Sequence, residues 1–313
     1  MTAGQLEGER RGGNTFPRRV TVVFNPATGK QPEARRAELK DALARYALDV
    51  RWCETTKEDP GQGLTRRAVE EGTDLVMVAG GDGTVRACVT GLAGTEVPLA
   101  VLPGGTGNLL ANNFDIPDDL DGALEVALHG ERRRLDVGAL GDERFVVMCG
   151  VGFDAAVLRD ADPELKARIG AVAYVLSGLR HLRRRATRFD LKLDGGPPIV
   201  RTGQGVLVGN LGRLQGGLPV MPDASPTDGQ LDVAVLETQT IWDWLVLAVR
   251  VLARRRRRDP QMEQFRARHV EVRCHHRQPA EFDGDPADPT DEVVVVVVPS
   301  ALTLCVPVQE EQP

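Results

Sequence analysis

The chain has 313 residues, enough for two domains of ordinary size, and its composition of 42% hydrophobic and 27% charged residues excludes a disordered protein. With only 4% aromatic residues and a formal net charge of −6, a general nucleic-acid-binding surface is not expected. The five cysteines are scattered, without CxxC spacing, which indicates a reducing compartment and no disulfide or zinc framework.

No apolar stretch has the character of a signal peptide or a membrane span. The N-terminus lacks an apolar run, and the longest stretch with few charges, 241–253, is shorter than the roughly 20 residues that cross a bilayer. The arginines at 254–258 could rest on anionic lipid, although a helix that covers a sheet is the more ordinary interpretation. We therefore expect a cytoplasmic protein, with peripheral contact at the inner membrane face as an option.

The first half of the chain alternates predicted strands and helices. Residues 1–17 are glycine-rich and polar, which predicts a disordered tail. Strands are predicted at 20–24, 49–55, 74–79 and 98–102, and helices at 33–46, 63–71, 84–90, 108–113 and 120–129. Short connections between alternating elements are typical of a doubly wound parallel sheet covered by helices, so we predict an α/β domain over 18–133.

Three of the predicted strands end in polar loops that contain glycine, at 25–30, 80–84 and 103–108. Glycine lets backbone N–H groups approach a phosphate closely, and a following helix presents its N-terminus to the same anion. The alternative is an ordinary glycine turn without a ligand, but such a turn has no need of Asp82. Because parallel strands end at one edge of a sheet, the three loops together predict a nucleotide site.

Strand-like runs dominate from residue 135 onward, which predicts a mainly antiparallel, β-rich second domain over 134–299. They lie at 135–140, 144–149, 188–193, 205–210, 231–236, 269–274 and 293–298. Asp-Gly pairs at 194–195, 228–229 and 283–284 are typical of hairpin turns. Helices are predicted at 163–183 and 240–258. A last strand, 302–306, is expected to return with residues 300–313 to the first domain.

Two Asp-Gly turns carry more carboxylates than a turn needs. Asp228 and Asp232 lie in one, and Glu281, Asp283 and Asp285 lie in the other. Oxygen ligands of this kind suit Mg²⁺ shared with substrate phosphates, and phosphoryl transfer benefits from a carboxylate that accepts the proton of the attacking hydroxyl. The alternative is a pair of solvated hairpin tips.

Six motifs of the chain, and the order in which they occur, resemble those of the diacylglycerol kinase catalytic-domain family. That family includes bacterial soluble lipid kinases and the sphingosine and ceramide kinases. The motifs are Asn25-Pro26, the Gly-Gly-Asp-Gly-Thr loop at 80–84, the Pro-Gly-Gly-Thr-Gly-Asn loop at 103–108, the Gly-Val-Gly-Phe-Asp run at 150–154, and the segments 228–232 and 283–285. The resemblance covers about 18–308. It implies an NAD kinase- and phosphofructokinase-like α/β nucleotide domain, a β-rich lipid-substrate domain, and a cleft for ATP, Mg²⁺ and a lipid hydroxyl.

The resemblance also implies roles for individual residues. The ATP site would comprise Asn25, Thr55 or its neighbour Thr56, Gly80, Gly81, Asp82, Gly83, Thr84, Val85, Arg86, Gly104, Gly105, Thr106 and Asn108. Asp82 would hold the metal and phosphate network. A structural Mg²⁺ would bind Asp228, with backbone oxygens near Ser225 and Gln230. Asp285 would be the general base, helped by Asp283.

The chain departs from the family pattern at the proposed base. The family usually has Asp-Gly-Glu where this chain has Asp283, Gly284 and Asp285. A carboxylate shorter by one methylene must still reach the hydroxyl, and a shift of about 1 Å can cost about 100-fold in rate. Ser225 likewise replaces a lysine that some bacterial members carry near the metal.

The sequence therefore predicts an ATP-dependent lipid kinase that acts on a diacylglycerol-like or sphingoid hydroxyl at a membrane surface. Two alternatives remain open. One is an NAD kinase-like enzyme with a soluble acceptor, and the other is a nucleotide- or lipid-binding regulator with weak or no catalysis. Edge strands in the β-rich half could also pair two chains, so a homodimer is one assembly that the sequence allows.

Overall fold

The computed structural model describes residues 16–29, 31–105, 107–152, 186–214, 218–236 and 262–308. Most of the predicted tail, the predicted helices at 163–183 and 240–258, and Thr106 lie outside these ranges. Across the described ranges, no helix combines the length and apolar character that crossing a bilayer requires.

The first half has the predicted alternation of strands and helices. Its elements are β1 Arg19–Phe24, α1 Pro32–Leu43, β2 Asp49–Glu54, α2 Gln62–Glu70, β3 Leu75–Ala79, α3 Asp82–Leu92, β4 Leu99–Val101, α4 Leu109–Asn113 and α5 Leu120–His129. The strands pair in parallel in the order β2-β1-β3-β4. All five residues of β3 are buried, as a run of branched apolar residues predicts for a strand covered on both faces.

The described part of the second half is built almost entirely of strands. They are β5 Glu131–Leu140, β6 Glu143–Phe145, β7 Met148–Val151, β8 Thr187–Leu193, β9 Ile199–Gly203, β10 Gly205–Gly209, β11 Arg213–Leu214, β12 Leu218–Pro219, β13 Leu231–Leu236, β14 Met262–Ala267, β15 His269–Phe282 and β16 Asp285–Val306. Their mutual pairings are antiparallel. The predicted fold class, a parallel α/β half followed by a mainly antiparallel β half, is confirmed.

The long strand β16 joins the two halves into one sheet of order β14-β13-β10-β7-β15-β16-β4-β3-β1-β2. It pairs antiparallel with β15 and β5 and parallel with β4, where Leu304 lies opposite Leu99. The prediction of two separate strands at 293–298 and 302–306 was wrong, because both segments belong to the single strand β16. Between them the pairing with β5 shifts register, but the strand does not end. Ser300 has a φ of +49° there, and its N–H donates to Asp136 Oδ1 at 2.8 Å.

The Asp-Gly turns do not all act alike. Asp283 and Gly284 join β15 to β16 with φ values of +47° and +83°, the left-handed backbone that a two-residue hairpin requires. Residues 228–229 instead precede β13, whose partners are β10 and β14, so this turn joins no pair of neighbouring strands and the hairpin predicted there was wrong. A dipeptide reports the local bend, whereas strand pairing depends on distant parts of the chain.

Candidate active site

The loops after β1, β3 and β4 meet at one edge of the parallel sheet. The N–H of Asn25 donates to Ala79 O at 2.9 Å, and its side-chain Nδ2 donates to Thr84 Oγ1 at 2.8 Å. The third loop approaches so closely that a Cβ added to Gly105 would lie 2.9 Å from Gly81 Cα. The convergence that parallel strands predict is therefore present.

Of the three glycines in the loop 80–84, Gly81 alone has open space where a side chain would begin. A Cβ at Gly80 would lie 2.7 Å from Thr84 Cβ, and one at Gly83 would lie 2.5 Å from Asp285 Oδ2. A Cβ at Gly81 would meet nothing within 4 Å. Gly81 is also the N-cap of α3, an 11-residue helix whose first turn attracts negative charge. The open space beside Gly81 thus suits an anionic group such as a phosphate.

Asp82 ties the second loop to the third. Its Oδ1 accepts a hydrogen bond from the N–H of Leu109 at 2.7 Å, at the start of α4, where Asn108 has a φ of +47°. Burial raises the pKa of Asp82 to about 6, and the nearby charges of Asp283 and Asp285 act in the same direction. A cation beside Asp82 would offset this accumulation of negative charge.

Asp283 is turned inward, toward the backbone that precedes and begins β7. Its carboxylate accepts hydrogen bonds from the N–H groups of Val146, Val147 and Met148, at 3.2, 2.9 and 2.9 Å. The residue is only 5% exposed, and burial raises its pKa to about 6 although the three N–H donors act to lower it. This geometry holds the hairpin of β15 and β16 in place.

Asp285 is turned outward, toward the glycine loop. Its side chain is 42% exposed, and its Oδ2 lies next to Gly83 and 3.9 Å from Arg86 Nη2. The acidic hairpin of the β half therefore faces the glycine loops of the α/β half, although the two segments lie about two hundred positions apart in the chain.

Other predicted nucleotide residues lie around these loops. Thr55 is buried at the end of β2, and its N–H donates to Phe24 O at 2.9 Å, so it lies beside the Asn25 loop. The Thr56 hydroxyl instead accepts from Asp59 N within its own loop, at 3.1 Å. Val85 is buried in the core, and Gly104 lies near Arg35.

The predicted metal-binding residues lie in a separate loop before β13. Gln230 N donates to Asp228 Oδ1 at 3.0 Å, Ser225 Oγ lies 3.3 Å from Thr227 Oγ1, and Gly229 N donates to the buried Asp136 at 2.7 Å. Within the described ranges, no group of three or more His, Cys, Asp or Glu has the spacing of a complete metal site.

A buried carboxylate beside this loop nevertheless fits a cation. Asp232 Oδ1 accepts from Arg266 Nε at 3.1 Å, whereas its Oδ2 is buried without a hydrogen-bond partner. Burial raises the pKa of Asp232, with added effect from Asp228 and Asp223. Burial therefore outweighs the opposing effect of Arg266 on this pKa, and Asp228 and Asp223 add negative charge to the loop.

Sequence reasoning missed three side chains that shape the site. Arg35 on α1 donates from Nη2 to Pro103 O. Glu143 on β6 accepts from Arg86 Nη1 at 2.6 Å. Asp136 accepts from the N–H groups of Gly229 and Ser300. An arginine in an amphipathic helix and a carboxylate in a short strand give no local signal of such contacts. Only the pairing of distant segments brings them to the site.

Comparison with known proteins agrees with this architecture. The diacylglycerol kinase catalytic domain family matches residues 19–140, and the YegS C-terminal NAD kinase beta sandwich-like domain matches residues 147–306. A diacylglycerol kinase of Mycobacterium tuberculosis is 31% identical over 317 residues, which cover 98% of this chain and 99% of that protein. One from Staphylococcus aureus is 30% identical over 234 residues, 72% of each chain.

The fold recurs in a solved structure described as a diacylglycerol kinase from Bacillus anthracis. The TM-score is 0.71, with 20% identity over 94% of this chain and 98% of that chain. The motif resemblance that the sequence showed is confirmed by the two family matches and by the relatives. The chain therefore belongs to the diacylglycerol kinase catalytic-domain family of lipid kinases.

Proposed function

We propose that this protein transfers the γ-phosphoryl group of ATP to the hydroxyl of a diacylglycerol-like or sphingoid lipid at a membrane surface. The observation that carries the proposal is the position of Asp285 beside Gly83, because a carboxylate there lies against the glycine loop that we propose binds phosphate. Family membership supports a lipid as acceptor, and the glycine loops support a nucleotide as donor.

The triphosphate would occupy the open space beside Gly81, against the first turn of α3 and the third loop. Backbone N–H groups and the helix N-terminus would stabilise its charge, with Asn25 and Thr84 holding the loops together. Thr106, which lies outside the described ranges, keeps its proposed nucleotide contact. Thr55 would border the same site from the end of β2.

Asp285 would accept the proton as the lipid oxygen bonds to the γ-phosphorus and the bond to the bridging oxygen of ADP breaks. Its half-exposed position allows a hydroxyl to approach. Asp283, which accepts three backbone N–H groups, would act by positioning this hairpin rather than by accepting the proton. Asp82 would bind the metal and phosphate network.

Asp82 would hold a Mg²⁺ ion, which when bound would supply positive charge against the negative charge that develops on the phosphates during transfer. The carboxylate of Asp82 suits a cation, since burial, together with the nearby charges of Asp283 and Asp285, raises its pKa in the absence of one. A second, structural Mg²⁺ would bind at Asp228, with backbone oxygens near Ser225 and Gln230. The orphaned Oδ2 of Asp232 supports a cation in that loop.

The test is an assay with labelled ATP and a panel of lipids in mixed micelles, with and without Mg²⁺. Label should appear in a lipid product with wild type and fall sharply with Asp82→Ala. Unchanged transfer by Asp82→Ala would refute the role of the central loop. NADP formation instead would favour an NAD kinase-like enzyme, and ATP binding without transfer, even in Asp285→Glu, would favour a regulator.

A further inference from the structure

Arg86 and Glu143 form an ion pair between the two halves of the protein. Arg86 lies on the second turn of α3, and its Nη1 donates to Glu143 Oε2 on β6 at 2.6 Å. The side chain of Arg86 is 20% exposed and that of Glu143 is 60% exposed, so the guanidinium is partly withdrawn from water while the carboxylate remains accessible to it. Glu143 falls between the matched segments 19–140 and 147–306, and neither family match assigns it a role.

A second contact keeps β6 on the same face of α3. The N–H of Arg144 donates to Thr90 Oγ1 at 3.2 Å, and that hydroxyl donates to Arg86 O at 3.0 Å. Thr90 lies one turn after Arg86, so two successive turns of α3 contact neighbouring residues of β6. The carboxylate of Glu143 is thereby held at a defined place beside the guanidinium.

The other side of the guanidinium faces the acidic hairpin. Arg86 Nη2 lies 3.9 Å from Asp285 Oδ2, and its Cζ lies 5.9 Å from the centre of the Phe282 ring. Its Nε is buried without a hydrogen-bond partner. Glu143 therefore occupies one end of a planar, five-donor group whose other end points toward Asp285 and the glycine loop.

Building on the proposed kinase function, we propose that Glu143 is a positioning residue that holds the Arg86 guanidinium between the transferring phosphoryl group and Asp285. Arginine suits a phosphoryl oxygen because its planar N–H groups match the geometry of that anion. Without Glu143 the guanidinium is free to swing fully onto Asp285, which would neutralise the proton acceptor and withdraw positive charge from the phosphate.

Four proteins test this inference: wild type, Glu143→Ala, Arg86→Ala and the double variant. We expect Glu143→Ala to lower kcat about tenfold and to change the KM for ATP less than about twofold, because a misplaced group affects transfer more than binding. Arg86→Ala should lower kcat about 100-fold. Because Glu143 acts only through Arg86, the double variant should have the same kcat as Arg86→Ala alone.

Two further variants separate positioning from a general effect on the fold. Glu143→Gln keeps a hydrogen-bond acceptor and should restore kcat to within about threefold of wild type. Asp142→Ala removes the same charge from the exposed neighbouring residue and should leave kcat unchanged. Independent, multiplicative losses in the double variant, or full activity of Glu143→Ala, would overturn the inference.

The assay of wild type distinguishes the two proposals. If wild type transfers phosphate to no lipid, the proposed kinase function fails, whatever the variants do. The same four proteins are then compared in their affinity for ATP with Mg²⁺ by calorimetry. A change in affinity of at most about twofold on Glu143→Ala that is absent in the Arg86→Ala background would still support the positioning role, whereas a larger loss, or an equal loss in both backgrounds, would reject it.

Discussion

At the scale of single residues, one turn holds two aspartates with opposite environments. Asp283 is buried among three backbone N–H donors, whereas Asp285, two positions later, is half exposed and faces the glycine loop. Burial and hydrogen bonding make the first a structural group, and exposure beside the glycine loop makes the second suitable for the proposed proton transfer. The same residue type therefore gives two different predictions.

Replacing Asp285 should affect activity far more than stability. Asp285→Asn removes the proton acceptor but preserves shape, so we expect phosphoryl transfer to fall about 100-fold or more. The unfolding free energy should change by less than about 1 kcal/mol, because the side chain is half exposed. Initial rates and denaturant unfolding measure the two effects.

Asp285→Glu serves as the control, since it keeps the carboxylate and should retain activity within about tenfold of wild type. Equal rates for Asp285→Asn and wild type would show that another group accepts the proton.

Asp82 should make stability depend on pH in a defined window when Mg²⁺ is absent. Burial raises its pKa in the folded protein to about 6, above an ordinary value of 3.8, so the folded state binds the proton more tightly than the unfolded state. Its contribution is therefore present below about pH 4 and is lost as pH rises through about 6. Each pKa unit corresponds to about 1.4 kcal/mol, so the full change is at most about 3 kcal/mol.

The measurement is urea unfolding of wild type and Asp82→Asn between pH 4 and 7. The amide keeps an acceptor for the Leu109 N–H, which makes it a matched control. The unfolding free energy of wild type relative to Asp82→Asn should fall across this range and level off above it. A constant difference would mean that Asp82 ionises normally.

At the scale of elements, the glycine loop after β3 and the hairpin of β15 and β16 have different requirements. The loop must leave space, because Gly81 opens onto the proposed phosphate site while Gly80 and Gly83 are enclosed by neighbours. The hairpin must hold a left-handed turn against the backbone of β7. Each requirement can be disturbed without the other.

Gly81→Ala should separate ligand binding from folding. The backbone of Gly81 has a φ of −85°, which alanine accepts, and the added methyl group meets nothing within 4 Å. We therefore expect an unfolding free energy within about 1 kcal/mol of wild type and an affinity for ATP at least about tenfold weaker, because the methyl group occupies the phosphate space.

Gly80→Ala is the contrasting variant, since its methyl group would collide with Thr84 and should lower stability as well. Normal ATP affinity in Gly81→Ala would place the phosphates elsewhere.

Asp283→Ala should destabilise the hairpin strongly. It removes the acceptor of three backbone N–H groups and puts alanine at a φ of +47°, so we expect the unfolding free energy to fall by about 3 kcal/mol or more.

Asp194 is the matched control, because it begins another Asp-Gly turn at a φ of +51° and accepts from the N–H groups of Arg268 and His269, but at an exposed site. Asp194→Ala should cost about 1 kcal/mol in thermal or denaturant unfolding. Equal losses would contradict the role of Asp283.

At the scale of the whole molecule, β16 makes the two halves one structure. Its residues pair with β15 over 285–296, with β5 over 296–306 and with β4 at Leu304, and Leu302 and Leu304 are fully buried. The strand also begins at Asp285, so the same element carries the proposed base and completes the sheet of the α/β half. Unfolding of either half should therefore disturb the site.

Leu304→Ala should weaken both halves together. Removing this side chain from a core where it is 0% exposed is expected to cost about 2–5 kcal/mol. Amide hydrogen exchange should report equal losses of protection in β3 and in β10, which lie on opposite sides of β16. Val308→Ala, at a side chain 61% exposed just beyond β16, should change neither. Loss of protection confined to β3 would show that the halves unfold independently.

The amino-acid sequence was enough to predict the fold class, the alternation of strands and helices in the first half, and the three glycine loops. These depend on local properties: branched apolar runs such as β3, helical spacing, and glycine or Asp-Gly pairs at turns, all of which act within a few residues. Parallel pairing then brought the loops to one edge, because strands joined by short helical crossovers end on the same side of a sheet.

Two features became visible only in the folded chain. Asp285 faces the glycine loops whereas Asp283 is buried, and the single strand β16 joins the two halves. The tertiary structure also revealed the contact of Glu143 with Arg86, which spans 57 positions, and that of Asp283 with residues 146–148, which spans more than twice as many. Such contacts depend on register and side-chain direction across distant strands, and a shift of one residue would turn each side chain to the opposite face. No local sequence pattern specifies this register, because it depends on how the whole sheet packs.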